Sequence, residues 1–217
     1  MLKIRKFDLL VSIYIFCIMV SELMGAKTFP LIKLGTYQLN ASVAIFVFPL
    51  IFTINDVITE VYGKEQTKSL IRSALIVVFL IMIFSLLAIS LPPSGRFAES
   101  EKAYDSIFGK SARIAFASLV AFALAEFTDL LIFVHIRKKL GKNSLWLRNN
   151  VSNIVSQLVD TTIFMTVAFY GLGRPLGDNI SFLSSIIIPY WLLKSFMSII
   201  ETPFVYLGVD WLKKDKV

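Results

Sequence analysis

Six apolar runs of membrane-spanning length alternate along the chain with short charged segments. A helix that crosses hydrocarbon needs about 20 mostly apolar residues. The runs lie at approximately 8–25, 38–61, 70–91, 112–135, 150–172 and 183–208. The pattern predicts an all-α integral membrane protein, a bundle of six transmembrane helices forming a single membrane domain over residues 1–217. The first run follows "KIRK", as in a signal peptide, but no small-x-small cleavage site comes after it. Glu22 and Lys27 interrupt its flank, so it reads as an uncleaved helix.

Several of these runs carry polar residues at helical spacing. A charge at mid-bilayer costs about 2.5–3.5 kcal/mol on insertion scales, so such residues face the bundle interior or water. In the second run, Thr53, Asp56, Thr59 and Glu60 share a face. The simplest account of Asp56 and Glu60 is a solvated helix end; the alternative is a gate or proton-coupling pair, with Asp56 the deeper. In the fourth run, Ser118, Phe122, Glu126 and Asp129 align beside Ala117, Ala121 and Ala125. That alanine stripe permits close helix packing and is most simply structural.

The fifth run, "NNVSNIVSQLVDTTIF", aligns Asn149, Asn153, Gln157 and Asp160 on one face. Hydrophobicity alone scarcely supports its insertion, so it should be an inner helix. A purely structural polar network is a poor explanation, because interhelical polar bonds in membranes average only about 0.6 kcal/mol. The sixth run aligns Trp191, Lys194, Ser198 and Glu201 between Pro189 and Pro203. Proline bends a helix and frees a carbonyl, as in the broken helices of transporters. Lys194 and Asp160 both lie near mid-depth, and a buried ion pair between them would join the last two spans.

Composition agrees with a membrane setting. The chain is 56% hydrophobic and only 17% charged, against roughly 45–50% and 25% in soluble domains; its mean hydropathy is +0.74. The formal charge of +7 could suit nucleic acid, but no basic run is interleaved with aromatics, so no nucleic-acid partner is expected. Lys and Arg instead set orientation. Fourteen lie in the amino terminus, the carboxyl tail and the segments after runs two and four, against six on the opposite side. Both termini are therefore expected in the cytoplasm.

The single cysteine, Cys17, and single histidine, His135, leave no cysteine or histidine cluster for a metal. No metal or cofactor is expected. No HExxH motif is present, and His135 sits beside "RKK" at a loop boundary, a poor place for a shielded catalytic triad. With short loops and no soluble domain, function must live between the helices. A scaffold would explain the hydrophobicity but not four helices with polar faces. The expectation is a transporter, not an enzyme; the sequence leaves a homo-oligomer open.

Six acids, Asp56, Glu60, Glu126, Asp129, Asp160 and Glu201, face one well-buried base, Lys194. Some acids must be protonated, solvated or matched by donors on a ligand. A cavity of carboxylates and amides suits a ligand rich in N–H donors, such as the edge of a guanine-like base. Phe122 and Trp191 could stack on a flat ring.

The blocks "NDVITEVYGKEQTKSLIR", "ARIAFASLVAFALAEFTDLLIF", "NNVSNIVSQLVDTTIF" and "KSFMSIIETPFVYLGV" resemble the queuosine precursor transporter family, also called the vitamin uptake transporter family. The resemblance covers residues 10–212, and "DVITEVYG" followed by "DTTIF" is specific in that order. It implies a six-helix, multi-pass protein of the bacterial inner membrane. Such a protein would import 7-deazaguanines such as preQ0 and preQ1, or queuine. It also implies substrate contacts at Asp56, Glu60, Glu126, Asp129, Gln157, Asp160, Lys194 and Glu201. Asn153, Phe122 and Trp191 join them from their places on the same faces. The alternative is a substrate-binding subunit of an energy-coupling-factor vitamin importer. Those subunits present an Ala-xxx-Ala face on the first helix, where this chain offers only Ser21 and Gly25.

Overall fold

In the computed structural model, residues 4–140 and 145–213 are described, and side chains are described outside 126–154, 156 and 197–202. Helix α1 covers Lys6–Met24. It begins after Arg5, whose guanidinium holds the first-turn Asp8 at 2.7 Å, an acid favoured by the helix dipole there.

A β-hairpin follows, β1 (Thr28–Leu34) paired with β2 (Tyr37–Ser42). Gly35, at φ 61°, takes the left-handed conformation that this two-residue turn demands. Residues 38–42 therefore do not open the second span. The edges of a two-stranded ribbon leave backbone groups unpaired, which hydrocarbon does not tolerate. The protein is mostly helical rather than all-α.

A 3-10 turn over Val43–Phe46 leads into α2 (Phe48–Tyr62), with Pro49 in its first turn. Helix α3 (Lys64–Ser90) starts one residue after α2 ends. The corner is Gly63, at φ 88° and ψ 163°, a conformation open essentially to glycine alone. The Thr59 and Thr67 hydroxyls meet at 2.8 Å across it. Then come α4 (Glu101–Leu140), α5 (Leu145–Phe169) and α6 (Leu176–Lys213).

Five segments among the described residues are long and apolar enough to cross a membrane: Lys6–Met24, Val43–Tyr62, Lys64–Ser90, Glu101–Ala125 and Leu176–Phe196. Gln157–Phe169 of α5 is a shorter apolar helix. Helix α3 shows how such a span is built. Ile76, Phe79, Leu80, Ile83, Phe84 and Leu87 are exposed at helical spacing, while Leu70, Ala74, Val78 and Ser85 are buried. The exposed stripe suits lipid, and the smaller buried set suits neighbouring helices.

The chain divides into two compact units. The first comprises residues 1–29, 42–115 and 196–217. Its core joins Tyr14 and Cys17 of α1 to Ile51, Ile54 and Ile58 of α2 and Leu70 and Ala74 of α3. A second cluster packs Val57 against Val209 and Leu212 of α6. At Gly208 a Cβ would lie 2.7 Å from Val57 Cγ2, so that crossing admits no side chain. Three contacts tie helix ends together. Lys6 donates to the Trp211 carbonyl at 2.5 Å, the Phe7 and Tyr62 rings lie 4.9 Å apart, and Ser111 donates to the Leu23 carbonyl at 2.9 Å.

The second unit comprises residues 30–41 and 116–195. Its hairpin strands are tied to α6, with Tyr37 and Ser184 hydroxyls 2.7 Å apart and Asn40 donating to Ser185 Oγ at 2.8 Å. The connection from α5 to α6 is organised by Asn179, only 2% exposed. Its amide oxygen accepts from Gly171 N at 2.8 Å, and its NH₂ donates to the Gly171 and Arg174 carbonyls.

Candidate functional site

In the second unit, helical spacing puts Gln157, Asp160 and Thr161 on neighbouring positions of α5, one turn apart. Lys194 stands on α6 with Trp191 one turn before it. Lys194 Nζ donates to Asp160 Oδ2 at 2.6 Å. The lysine side chain is 15% exposed and the carboxylate 26%. Each charge thus has its counter-charge in a mostly dehydrated setting, where an unpaired one would be costly. The pairing expected from their shared depth is present.

The surroundings of the pair are polar but incompletely bonded. Gln157 Oε1, Thr161 Oγ1 and Ser195 Oγ are enclosed and accept or donate no hydrogen bond. Buried polar atoms normally have partners, and leaving one without costs about 1–3 kcal/mol. Gln157 was legible in the sequence as part of the amide stripe. Thr161 and Ser195 were not, although each directly follows a member of the ion pair.

The other expected residues fare differently. Phe122 and Trp191 are half-buried in the same unit as the pair. Asp56 and Glu60 belong to the first unit, and both are exposed on α2. Glu126, Asp129, Asn153 and Glu201 lie on helices, but their side chains fall outside the described residues. Glu22 of α1, read from sequence only as an interruption of the flank, is buried at 5% exposure. A carboxylate at the end of an apolar run was the available signal. Among the described residues, no group of three His, Cys, Asp or Glu could hold a metal ion.

The arrangement offers a ligand two fixed acceptors, a carboxylate and an amide oxygen. It also offers donors, the Lys194 ammonium and the Gln157 NH₂, and hydroxyls that serve either way. Donors and acceptors of this kind suit the binding of a polar ligand.

Comparison with known proteins adds a family. Residues 42–208 match the family described as "Putative vitamin uptake transporter". A Bacillus subtilis (strain 168) protein named "Probable queuosine precursor transporter" is 30% identical over 181 residues, 83% of this chain and 76% of that protein. A Haemophilus influenzae protein of the same name is 26% identical over 132 residues, 59% of this chain and 52% of that protein. The Escherichia coli (strain K12) "Queuosine precursor transporter" is 29% identical over 128 residues, 58% of this chain and 53% of that protein. The matched regions thus span about half the length of the last two relatives. No solved structure matches.

Proposed function

Since this chain belongs to the vitamin uptake transporter family, whose relatives are named queuosine precursor transporters, we propose that it imports queuosine precursors across a bacterial inner membrane. The cargo is a 7-deazaguanine such as preQ0 or preQ1, or queuine. The observation that carries this reading is the Lys194–Asp160 pair, set beside the unbonded Gln157 amide oxygen. A deazaguanine edge presents a ring N–H and an exocyclic NH₂ beside a carbonyl. Asp160 and Gln157 accept the N–H groups, and Lys194 donates to the carbonyl. The side chains of Phe122 and Trp191 supply ring faces, with Glu126, Asp129, Asn153 and Glu201 completing the proposed polar lining. Asp56 and Glu60, exposed on α2, are gate or proton-coupling candidates.

Six spans with both termini cytoplasmic fit this transporter. Within the first unit, the start of α1 meets the end of α6 at Lys6–Trp211 and the end of α2 at Phe7–Tyr62. The end of α1 meets the start of α4 at Leu23–Ser111. The chain then leaves Ser111 on one side and reaches Trp211 on the other, which takes an odd number of crossings. Helices α4, α5 and α6 supply three, with α5 spanning despite its short apolar stretch. The excess of Lys and Arg supports the cytoplasm as the side of the termini.

The energy-coupling-factor alternative needs an open small-residue face on the first helix. Ser21 and Gly25 are buried instead, and the Gly25 carbonyl accepts from Ser42 at 2.6 Å. Complementation tests the proposed cargo. A strain unable to make queuosine precursors is given this protein and supplied separately with preQ0, preQ1 and queuine. Queuosine in tRNA with at least one of them is expected; none with any of them would overturn the reading.

A further inference from the structure

Among the described residues, two buried hydroxyl oxygens of the second unit, on Thr161 and Ser195, have no hydrogen-bond partner. Helical serines and threonines commonly return their hydroxyl to a carbonyl one turn earlier. Ser12 donates to Asp8 O at 2.8 Å, Thr59 to Asn55 O at 2.7 Å and Ser73 to Ser69 O at 2.9 Å. Ser184 and Ser185 do the same three residues back. Thr161, 1% exposed, does not, and neither does Ser195.

Their places add a second observation. Thr161 follows Asp160, and Ser195 follows Lys194. Gln157, whose Oε1 is also unbonded, precedes Thr161 by one turn. The 2.6 Å ion pair brings α5 and α6 together at this level. Both hydroxyls therefore lie at the level of the pair along their helices, one on each, and Thr161 shares a helix face with Gln157, one turn earlier.

We infer that Thr161 and Ser195 are specificity-determining contacts for the transported ligand, which reads the pair through a flat ring edge carrying more N–H donors than acceptors. This rests on Asp160 and Lys194 being the binding pair. Asp160 only accepts and Lys194 only donates, while Gln157 brings an unbonded acceptor oxygen beside its NH₂. A hydroxyl can rotate to meet whichever group the ligand brings. A buried oxygen without a hydrogen bond is costly, and a ligand that bonds these oxygens would recover that cost. The oxygens are enclosed in the present arrangement, so the ligand meets them when α5 and α6 part, the kind of rearrangement alternating access requires.

The test uses precursor-deficient cells given graded preQ0, with queuosine in tRNA as readout. Thr161→Val and Ser195→Ala are compared with Thr161→Ser and Asp160→Asn. Loss of either hydroxyl is expected to raise the half-saturating preQ0 concentration roughly three- to tenfold, the worth of one hydrogen bond. Thr161→Ser should return it to the parental value. Purified Thr161→Val protein should melt no lower than the parent, since a methyl replaces a buried unbonded hydroxyl; a lower melt with parental half-saturation would mark a structural role and overturn the inference. Parental half-saturation in both Thr161→Val and Ser195→Ala also overturns it. Normal transport by Asp160→Asn is a separate outcome that instead removes the binding pair itself.

Discussion

Lys194 on α6 donates to Asp160 on α5 at 2.6 Å, with both side chains largely withdrawn from solvent. Two helices that each carry a charge too costly to leave alone in a membrane thereby neutralise one another. Under the proposed function, a donor-rich ligand would compete with this internal bond for Asp160.

Asp160→Ala, with membrane expression verified, is expected to abolish precursor-dependent queuosine. Asp160→Asn should weaken uptake roughly ten- to hundredfold, since a hydrogen bond to a charged group contributes about 1.5–3 kcal/mol. The charge swap Asp160→Lys with Lys194→Asp separates the roles of the pair. It should recover expression but not uptake, because the acceptor has moved to the wrong helix. Full uptake in the swap would mean the pair only holds helices together.

The crossing of α2 and α6 at Gly208 makes a second expectation. Gly208→Ala forces a Cβ against Val57 Cγ2, 2.7 Å away, and overpacking of this kind typically costs about 1–3 kcal/mol. Val57→Ala should restore the space. Thermal melts of both single variants and the double variant in detergent check this, with the double variant melting above Gly208→Ala. Simple additivity of the two losses would contradict the contact.

At the α2–α3 corner, Gly63→Ala should destabilise by about 1–3 kcal/mol, because φ 88° with ψ 163° suits no other residue. The corner belongs to the first unit and the ion pair to the second. Uptake per folded molecule should therefore fall much less than folded yield. Quantifying both by fluorescence-detected chromatography and tRNA queuosine would reveal a direct transport role if activity fell first.

Topology is accessible through thiols. Cys17 is buried among apolar side chains, so a Cys17→Ala background, which adds no polar group there, is expected to fold. In that background Arg5→Cys and Lys213→Cys should both react with an impermeant maleimide only from the cytoplasmic side. Gly95→Cys and Gly173→Cys should react from outside. Labelling of positions 5 and 213 from opposite sides would require an odd number of spans.

Much of this architecture was legible from hydropathy because burial in lipid writes a long, continuous signal. What escaped it was short or local. The hairpin over Thr28–Ser42 was lost in the apolar window, although Gly35 marked its turn. The corner at Gly63 was read as a loop between spans, since nothing in hydropathy distinguishes a one-residue bend from an eight-residue connection. Asp160, Lys194 and Gln157 were found because charge and amide groups are conspicuous in an apolar run. Thr161 and Ser195 were not, because hydroxyls in helices usually bond to their own backbone and only coordinates reveal which ones have not. Glu22 was treated as a flank, yet it is buried.

The one-residue join at Gly63 also bears on biogenesis. Lys64 and Lys68, which the charge pattern alone would assign to a loop, are already inside the first turns of α3. With Gly63 alone between them, the second and third helices have no spacer loop and would enter a membrane as a folded-back pair. An epitope or reporter spliced at this corner would part the Thr59 and Thr67 hydroxyls, which meet at 2.8 Å across it.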